Sequence, residues 1–140
     1  MAEVPADVHA YNTKLIEEFR AGGGPPAGRP LLLLTTTGAR TGQARTTPMM
    51  FIADGERLLV IASNNGAPSH PDWYRNLLAH PEVTVESGAE TYPAIAIPLQ
   101  GEERDRRFAR IVEDFPFFAD HQAKITRTIP VVALVRLGSS

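Results

Sequence analysis

The sequence predicts a mainly β domain with flanking helices, an α+β chain curled into a closed or half-closed barrel. Three observations lead there. About six short apolar runs have strand character, Asp-Gly and Ser-Gly pairs sit at hairpin spacing, and a few segments carry the helical period. At 140 residues the chain has the length of one domain that can bury a core without disulfides.

Residues 6–20 read as an amphipathic helix, with Val8, Tyr11, Leu15 and Phe19 on one stripe beside Glu17, Glu18 and Arg20. The stripe suits docking on the domain. Its polar face has fewer Lys and Arg than a membrane-surface helix usually carries, although peripheral membrane contact through 6–20 stays open. AGGGPPAGRP, residues 21–30, is a linker by composition. The expected division is therefore a helix and Gly/Pro linker over 1–30 and a barrel domain over 31–140.

Leu31 to Thr37 is an apolar strand. Thr46–Ala53 and Arg57–Ser63 are strands joined at Asp54-Gly55, which suits a type I′ hairpin. Pro71 to Ala79 is a helix with proline at its favoured first position, stopping before Pro81. Trp73 pairs with Leu77, and Tyr74 with Leu78, along it. Glu82–Glu86 and Ala89–Leu99 pair around Ser87-Gly88. Glu102–Glu113 is a helix presenting Phe108, Ile111 and Val112 inward, and its Glu102, Glu103 and Asp105 read as a solvated face. Phe115–Lys124 is a short helix or a loop. Ile129–Leu137 is the last strand, and Pro130 fits its start or a sheet edge.

Composition excludes several chemistries. With no cysteine, thiolate catalysis, Fe–S ligation and disulfide frameworks are ruled out. A net charge of −2 argues against wide nucleic-acid binding. His9, His70, His80 and His121 have no ligand spacing, so no metal site is expected. No G-x-S-x-G appears, so Ser63 is not marked as a hydrolase nucleophile. The start, MAEVPADVHA, lacks signal-peptide character, and no run is apolar and long enough for a bilayer. The expectation is a cytoplasmic protein, with membrane association open.

Three constellations remain. In LLLLTTTGARTGQARTTP (31–48) a strand runs into a loop with Gly38, Arg40, Gly42 and Arg45. From Arg20 to Ile52 there is no Asp or Glu, yet Arg20, Arg29, Arg40 and Arg45 are present. Glycines let backbone N–H groups face a ligand, and arginines fix phosphate or carboxylate. The loop alone equally fits a plain solvent-facing connection, and it is neither a Walker loop nor a Rossmann turn. ASNNGA (62–67) offers small residues, amides and the Ser63 hydroxyl, or is simply an Asn-Gly turn. PDWYRN (71–76) offers Trp73 and Tyr74. Trp73 fits the core better, and Tyr74 is the better ligand candidate.

Taken together, TTTGARTGQARTTPM, LVIASNNGA, HPDWYRNLLAHPEVTV and ITRTIPVVAL resemble the deazaflavin-dependent nitroreductase and quinone reductase family. They stand in family order over residues 31–137. The resemblance implies a split β-barrel like the FMN-binding split barrel and coenzyme F420, a flat 8-hydroxy-5-deazaflavin on a phosphate-linked, glutamate-ended tail. It implies that Arg40, Thr41 and Arg45 hold phosphate and tail, and that Thr47, Pro48 and Met49 line the ring. Ala62, Ser63, Asn64, Gly66 and Ala67 would bring backbone N–H groups to the ring carbonyls. Tyr74 and Asn76 would close the tail side, supported by Trp73. Family members often have lysine where Asn64 stands. The cofactor supplies hydride chemistry at C5, and Ser63 is the first candidate for a hydrogen bond to the acceptor.

In FPFFADH (115–121) nitroimidazole-reducing relatives carry tyrosines, where this chain has Phe115, Phe118 and His121. The implied acceptor wall is apolar and suits a quinone better than a nitro prodrug, with His121 as a proton source or a surface residue. The expectation is an oxidoreductase passing hydride from reduced coenzyme F420 to a quinone-like or nitroaromatic acceptor, as a monomer or homodimer. Its rivals are an FMN enzyme on the same barrel and a non-catalytic carrier of deazaflavin or lipid.

Overall fold

A computed structural model describes residues 8–24, 30–88 and 90–137. Its elements run α1 (Val8–Gly22), β1 (Leu31–Thr37), β2 (Ala44–Met50), β3 (Ile52–Asp54), β4 (Arg57–Ile61), α2 (Asp72–Ala79), β5 (Glu82–Ser87), β6 (Glu90–Pro98), α3 (Gly101–Asp114), α4 (Phe117–Ala123) and β7 (Val131–Arg136). The seven strands form one curled antiparallel sheet in the order β2-β1-β5-β6-β7-β4-β3, the wall of a split barrel.

Alternation along the strands builds two cores. Leu32, Leu34, Val60, Val83, Val85, Val132 and Leu134 face one way and bury Leu77 of α2 among them. Leu59, Val131 and Ala133 face the other and pack on Ile111 of α3 and Phe118 of α4. Pro48 lies on β2, where the sheet ends and its missing N–H costs no ladder bond. Pro130 falls just before β7, a strand with neighbours on both sides.

The structure corrects or narrows the sequence reading in three places. The expected strand 46–53 divides at Phe51 into β2 and β3, which makes seven strands of six. Phe51 N–H instead donates to Pro30 O at 3.1 Å. In the Asp54–Arg57 hairpin only Gly55 has positive φ (64°), so the turn is not type I′. The segment 115–124 resolves to the helix α4.

Helix α1 is fastened to the barrel. Leu15 and Phe19 are buried, and Arg20 makes a bidentate pair with Glu86 of β5, Nε to Oε1 at 3.0 Å and Nη2 to Oε2 at 2.8 Å. The apolar stripe that could have met a membrane is thus spent on the domain. Only its Tyr11 remains exposed, and the Val8 side chain lies outside the described residues. Among the described residues no helix is long and apolar enough to cross a membrane.

Candidate active site

A cleft of about 780 Å³ opens where the β1–β2 loop, the start of α2 and the flank of α1 meet. The loop is built first. Gly38 N–H donates to Gln43 O at 2.8 Å and Gly42 N–H to Gly38 O at 2.9 Å, so residues 38–43 close on themselves. A Cβ at Gly38 would lie 2.6 Å from Thr41 Oγ1, which is why glycine stands there. The Thr41 hydroxyl accepts from Gln43 N–H at 3.2 Å.

Asn76 of α2 then fixes the loop to the domain. Its Oδ1 accepts from Ala39 N–H at 3.0 Å, and its Nδ2 donates to the buried Thr36 Oγ1 at 3.2 Å. Asn76 lines the cleft, but its amide is engaged in positioning. Arg40 and Arg45 reach the cleft exposed, with no carboxylate partner among the described residues. The cation excess read from the sequence narrows to these two. Arg20 is spent on Glu86, and Arg29 lies outside the described residues. Arg75 adds a third guanidinium, loosely paired with exposed Asp72 at 3.8 Å.

Of the two aromatics of α2, Trp73 packs against the first core, as expected, and also lines the cleft together with Thr46 and Thr47. Tyr74 does not line it. It packs against the first core and lies 4.8 Å from the His70 ring, and burial pushes its phenol above the ordinary value. Met49 likewise turns to the first core.

At the end of β4 the chain makes a 3-10 turn over Asn64–Gly66, with Asn64, Asn65 and Gly66 all at positive φ. A Cβ on Gly66 would meet His121 Cα and Lys124 Cδ at 3.4 Å, so α4 packs on this turn. Ala62 N–H is bonded to Pro130 O, Gly66 N–H to Ser63 O and Ala67 N–H to Asn64 O. That leaves the Ser63, Asn64 and Asn65 N–H groups of the turn without a partner among the described residues. Asn64 Nδ2 braces the turn through Ser69 O at 3.1 Å.

Arg127, which sequence reasoning did not single out, lies beneath the turn. It donates to Ala62 O at 3.1 Å, to Ser63 O at 2.8 Å, to Ala67 O at 3.0 and 3.2 Å, and to His70 Nδ1 at 3.0 Å. Guanidinium has no acceptor, so His70 is neutral with its proton on Nε2. Burial and the nearby Arg127 and Arg75 charges hold its pKa below the usual histidine range.

The aromatic wall also differs from expectation. Phe115 and Phe118 pack into the second core with Leu59, Ile111 and Val131. The exposed ring is Phe117, which lines a groove of about 600 Å³ with Asp120, His121, Ala123 and Lys124. His121 is buried and its Nδ1 has no hydrogen-bond partner. Burial first, then Lys124, lowers its pKa, with Asp120 opposing.

Known proteins match this arrangement. The family model described as F420H(2)-dependent quinone reductase matches residues 10–136. This chain belongs to the F420H(2)-dependent quinone reductase family. The F420H(2)-dependent quinone reductase of Mycobacterium tuberculosis is 39% identical over 120 residues, 84% of this chain and 80% of that protein. A solved F420-H2 dependent reductase superposes with a TM-score of 0.69 at 40% identity, covering 76% of this chain and 94% of the other. A second structure, described as a domain-swapped dimer, gives 0.72 at 36% identity over 91% and 96%. Family membership makes the chain an oxidoreductase with coenzyme F420 as its cofactor, ahead of FMN.

The residues fit that group on their own chemistry. Two guanidiniums without described partners suit an anionic tail, and the unbonded N–H groups of the 62–67 turn suit the carbonyl edge of a flat ring.

Proposed function

We propose that this protein passes hydride from reduced coenzyme F420 to a quinone. The reading is carried by the cationic cleft lined by Arg40 and Arg45, and supported by the unbonded backbone N–H groups of the 62–67 turn. In this reading Arg40, Thr41 and Arg45 hold phosphate and tail, and Asn76 keeps their loop in place. Thr47 and Trp73 line the path to the ring, with Pro48 and Met49 shaping its wall. Tyr74 supports from behind. The cofactor supplies hydride chemistry at C5 when bound.

The chain's own residues do the rest. Ser63 and Asn64 N–H groups orient the ring against charge that grows on its carbonyl edge. Ala62 and Gly66 keep the approach narrow, and Ala67 closes the turn. Ser63 Oγ donates a hydrogen bond to the acceptor. His121, on the groove beside Phe117, relays from solvent the proton that completes the hydroquinone, gaining and losing it in turn. Phe117 covers the acceptor. Phe115 and Phe118 act on the acceptor only through the core that seats Phe117. A homodimer is the proposed assembly, and light scattering on purified protein tests it.

Anaerobic mixing with reduced coenzyme F420 and menadione should give oxidised cofactor and menadiol. No turnover across a broad quinone panel, with the cofactor bound, supports the non-catalytic carrier instead. Arg40→Ala and Arg45→Ala should each weaken cofactor binding by about 1–3 kcal/mol, less at high salt. Unchanged affinity in the double variant rejects the anion site.

A further inference from the structure

Arg127 is a half-buried cation with no carboxylate partner among the described residues. Its charge is spread over three backbone carbonyls from the two ends of one turn, and over one imidazole. The consequence is geometric. No described peptide bond is cis, and in a trans peptide the C=O of one residue and the N–H of the next point in opposite directions. Drawing Ala62 O toward Arg127 aims Ser63 N–H away from it. Drawing Ser63 O inward aims Asn64 N–H outward. Neither N–H bonds to a described residue, and in the same turn the Asn65 N–H is likewise unbonded. The third carbonyl, Ala67 O, precedes Pro68, which has no N–H to aim.

We propose that Arg127 is the positioning residue of the active site, a guanidinium behind the 62–67 turn that points the Ser63 and Asn64 amides at the deazaflavin ring. The inference rests on the cofactor site proposed above. A lysine cannot replace it, since one ammonium does not span three carbonyls and a ring nitrogen in a fixed fork.

The same residue is tied to the acceptor side. Gln122 Nε2, next to His121 on α4, donates to Arg127 O at 2.7 Å. Gln122 Oε1 accepts from Ile129 N–H at 2.9 Å, and Arg104 of α3 donates to Ile129 O at 2.7 and 3.1 Å. The segment carrying Arg127 is thus held by α4, which carries Phe117 and His121, and by α3. The turn and the acceptor wall share one support.

The test is a pair of titrations, with oxidised coenzyme F420 and with its tail-less 8-hydroxy-5-deazaflavin chromophore. Arg127→Gln and Arg127→Lys should weaken both by about tenfold or more. Arg40→Ala should weaken only the tailed form. Millimolar guanidinium should restore part of the chromophore affinity in Arg127→Gly, and methylammonium should not. In wild-type protein the amide resonances of Ser63 and Asn64 should move on adding the chromophore. Wild-type chromophore affinity in folded Arg127→Lys overturns the proposal. Should the variants fail to fold, unmoved Ser63 and Asn64 amides in liganded wild type overturn it alone. If wild type binds neither compound, the cofactor reading itself fails and takes the proposal with it.

Discussion

The β1–β2 loop and the 62–67 turn are both short, glycine-bearing connections, and both depend on arginine, but in opposite senses. At 38–45 the guanidiniums of Arg40 and Arg45 face the cleft, and a neutral amide, Asn76, holds the backbone from behind. At 62–67 the guanidinium of Arg127 stands behind, and neutral backbone amides face outward. In the proposed reading the first arrangement would set exposed, screened charge against a charged tail. The second would spend charge on rigidity, so that fixed dipoles meet a ring whose charge changes during reaction.

Exchanging the supports breaks the comparison most strongly. Asn76→Ala strands Ala39 N–H and leaves Thr36 Oγ1 unpaired. It should cost about 2 kcal/mol, a melting drop of roughly 4–8 °C, and weaken the tailed cofactor more than the tail-less one. A thermal melt with both titrations checks this, and equal weakening would mean the two regions are not separable.

Gly66→Ala puts a side chain at φ +78° and 3.4 Å from His121 Cα, which should cost about 1–2 kcal/mol. It should also slow turnover by displacing α4, read as kcat against KM. A variant with wild-type melting and kcat would show that the turn yields freely.

Acidity probes the turn alone. His70 is held below its ordinary pKa in the folded protein, while the unfolded chain takes up its proton near about 6.5. The unfolded state therefore binds more protons below about pH 6.5, and stability falls as pH drops from about 7 toward 5. His121 shifts the same way and adds to the slope. His70→Gln should flatten part of the slope in melts across that range, because an amide oxygen still accepts from Arg127. The smallest effect belongs to Glu86→Gln, which removes the half-buried charged partner of exposed Arg20. It should cost about 1 kcal/mol or less and vanish in high salt.

Local pattern carried most of the fold. Leu31–Thr37 matches β1 residue for residue, and both Gly-centred hairpins lie where the turn residues place them. The split at Phe51 was not legible, because apolar residues run unbroken through Met50 and Ile52 to Ala53. The cationic loop was legible from its missing carboxylates. The side chains opposite it were less so. Trp73 and Tyr74 are neighbours on one helix, and sequence spacing alone does not say which of them lines the cleft that Asn12, Thr13 and Ile16 also help to line. In FPFF, spacing alone does not tell Phe117 at the surface from Phe115 and Phe118 in the core. Arg127 was illegible because its partners lie 57 to 65 residues away.

The central claim is that one charged, planar cofactor spans both regions. Titrating oxidised coenzyme F420 and FMN, separately, into wild type and the Arg40→Ala/Arg45→Ala double variant tests it most directly. The account predicts saturable binding of coenzyme F420 in preference to FMN, sharply weakened in the double variant. Preference for FMN, or coenzyme F420 binding indifferent to the two arginines, contradicts it.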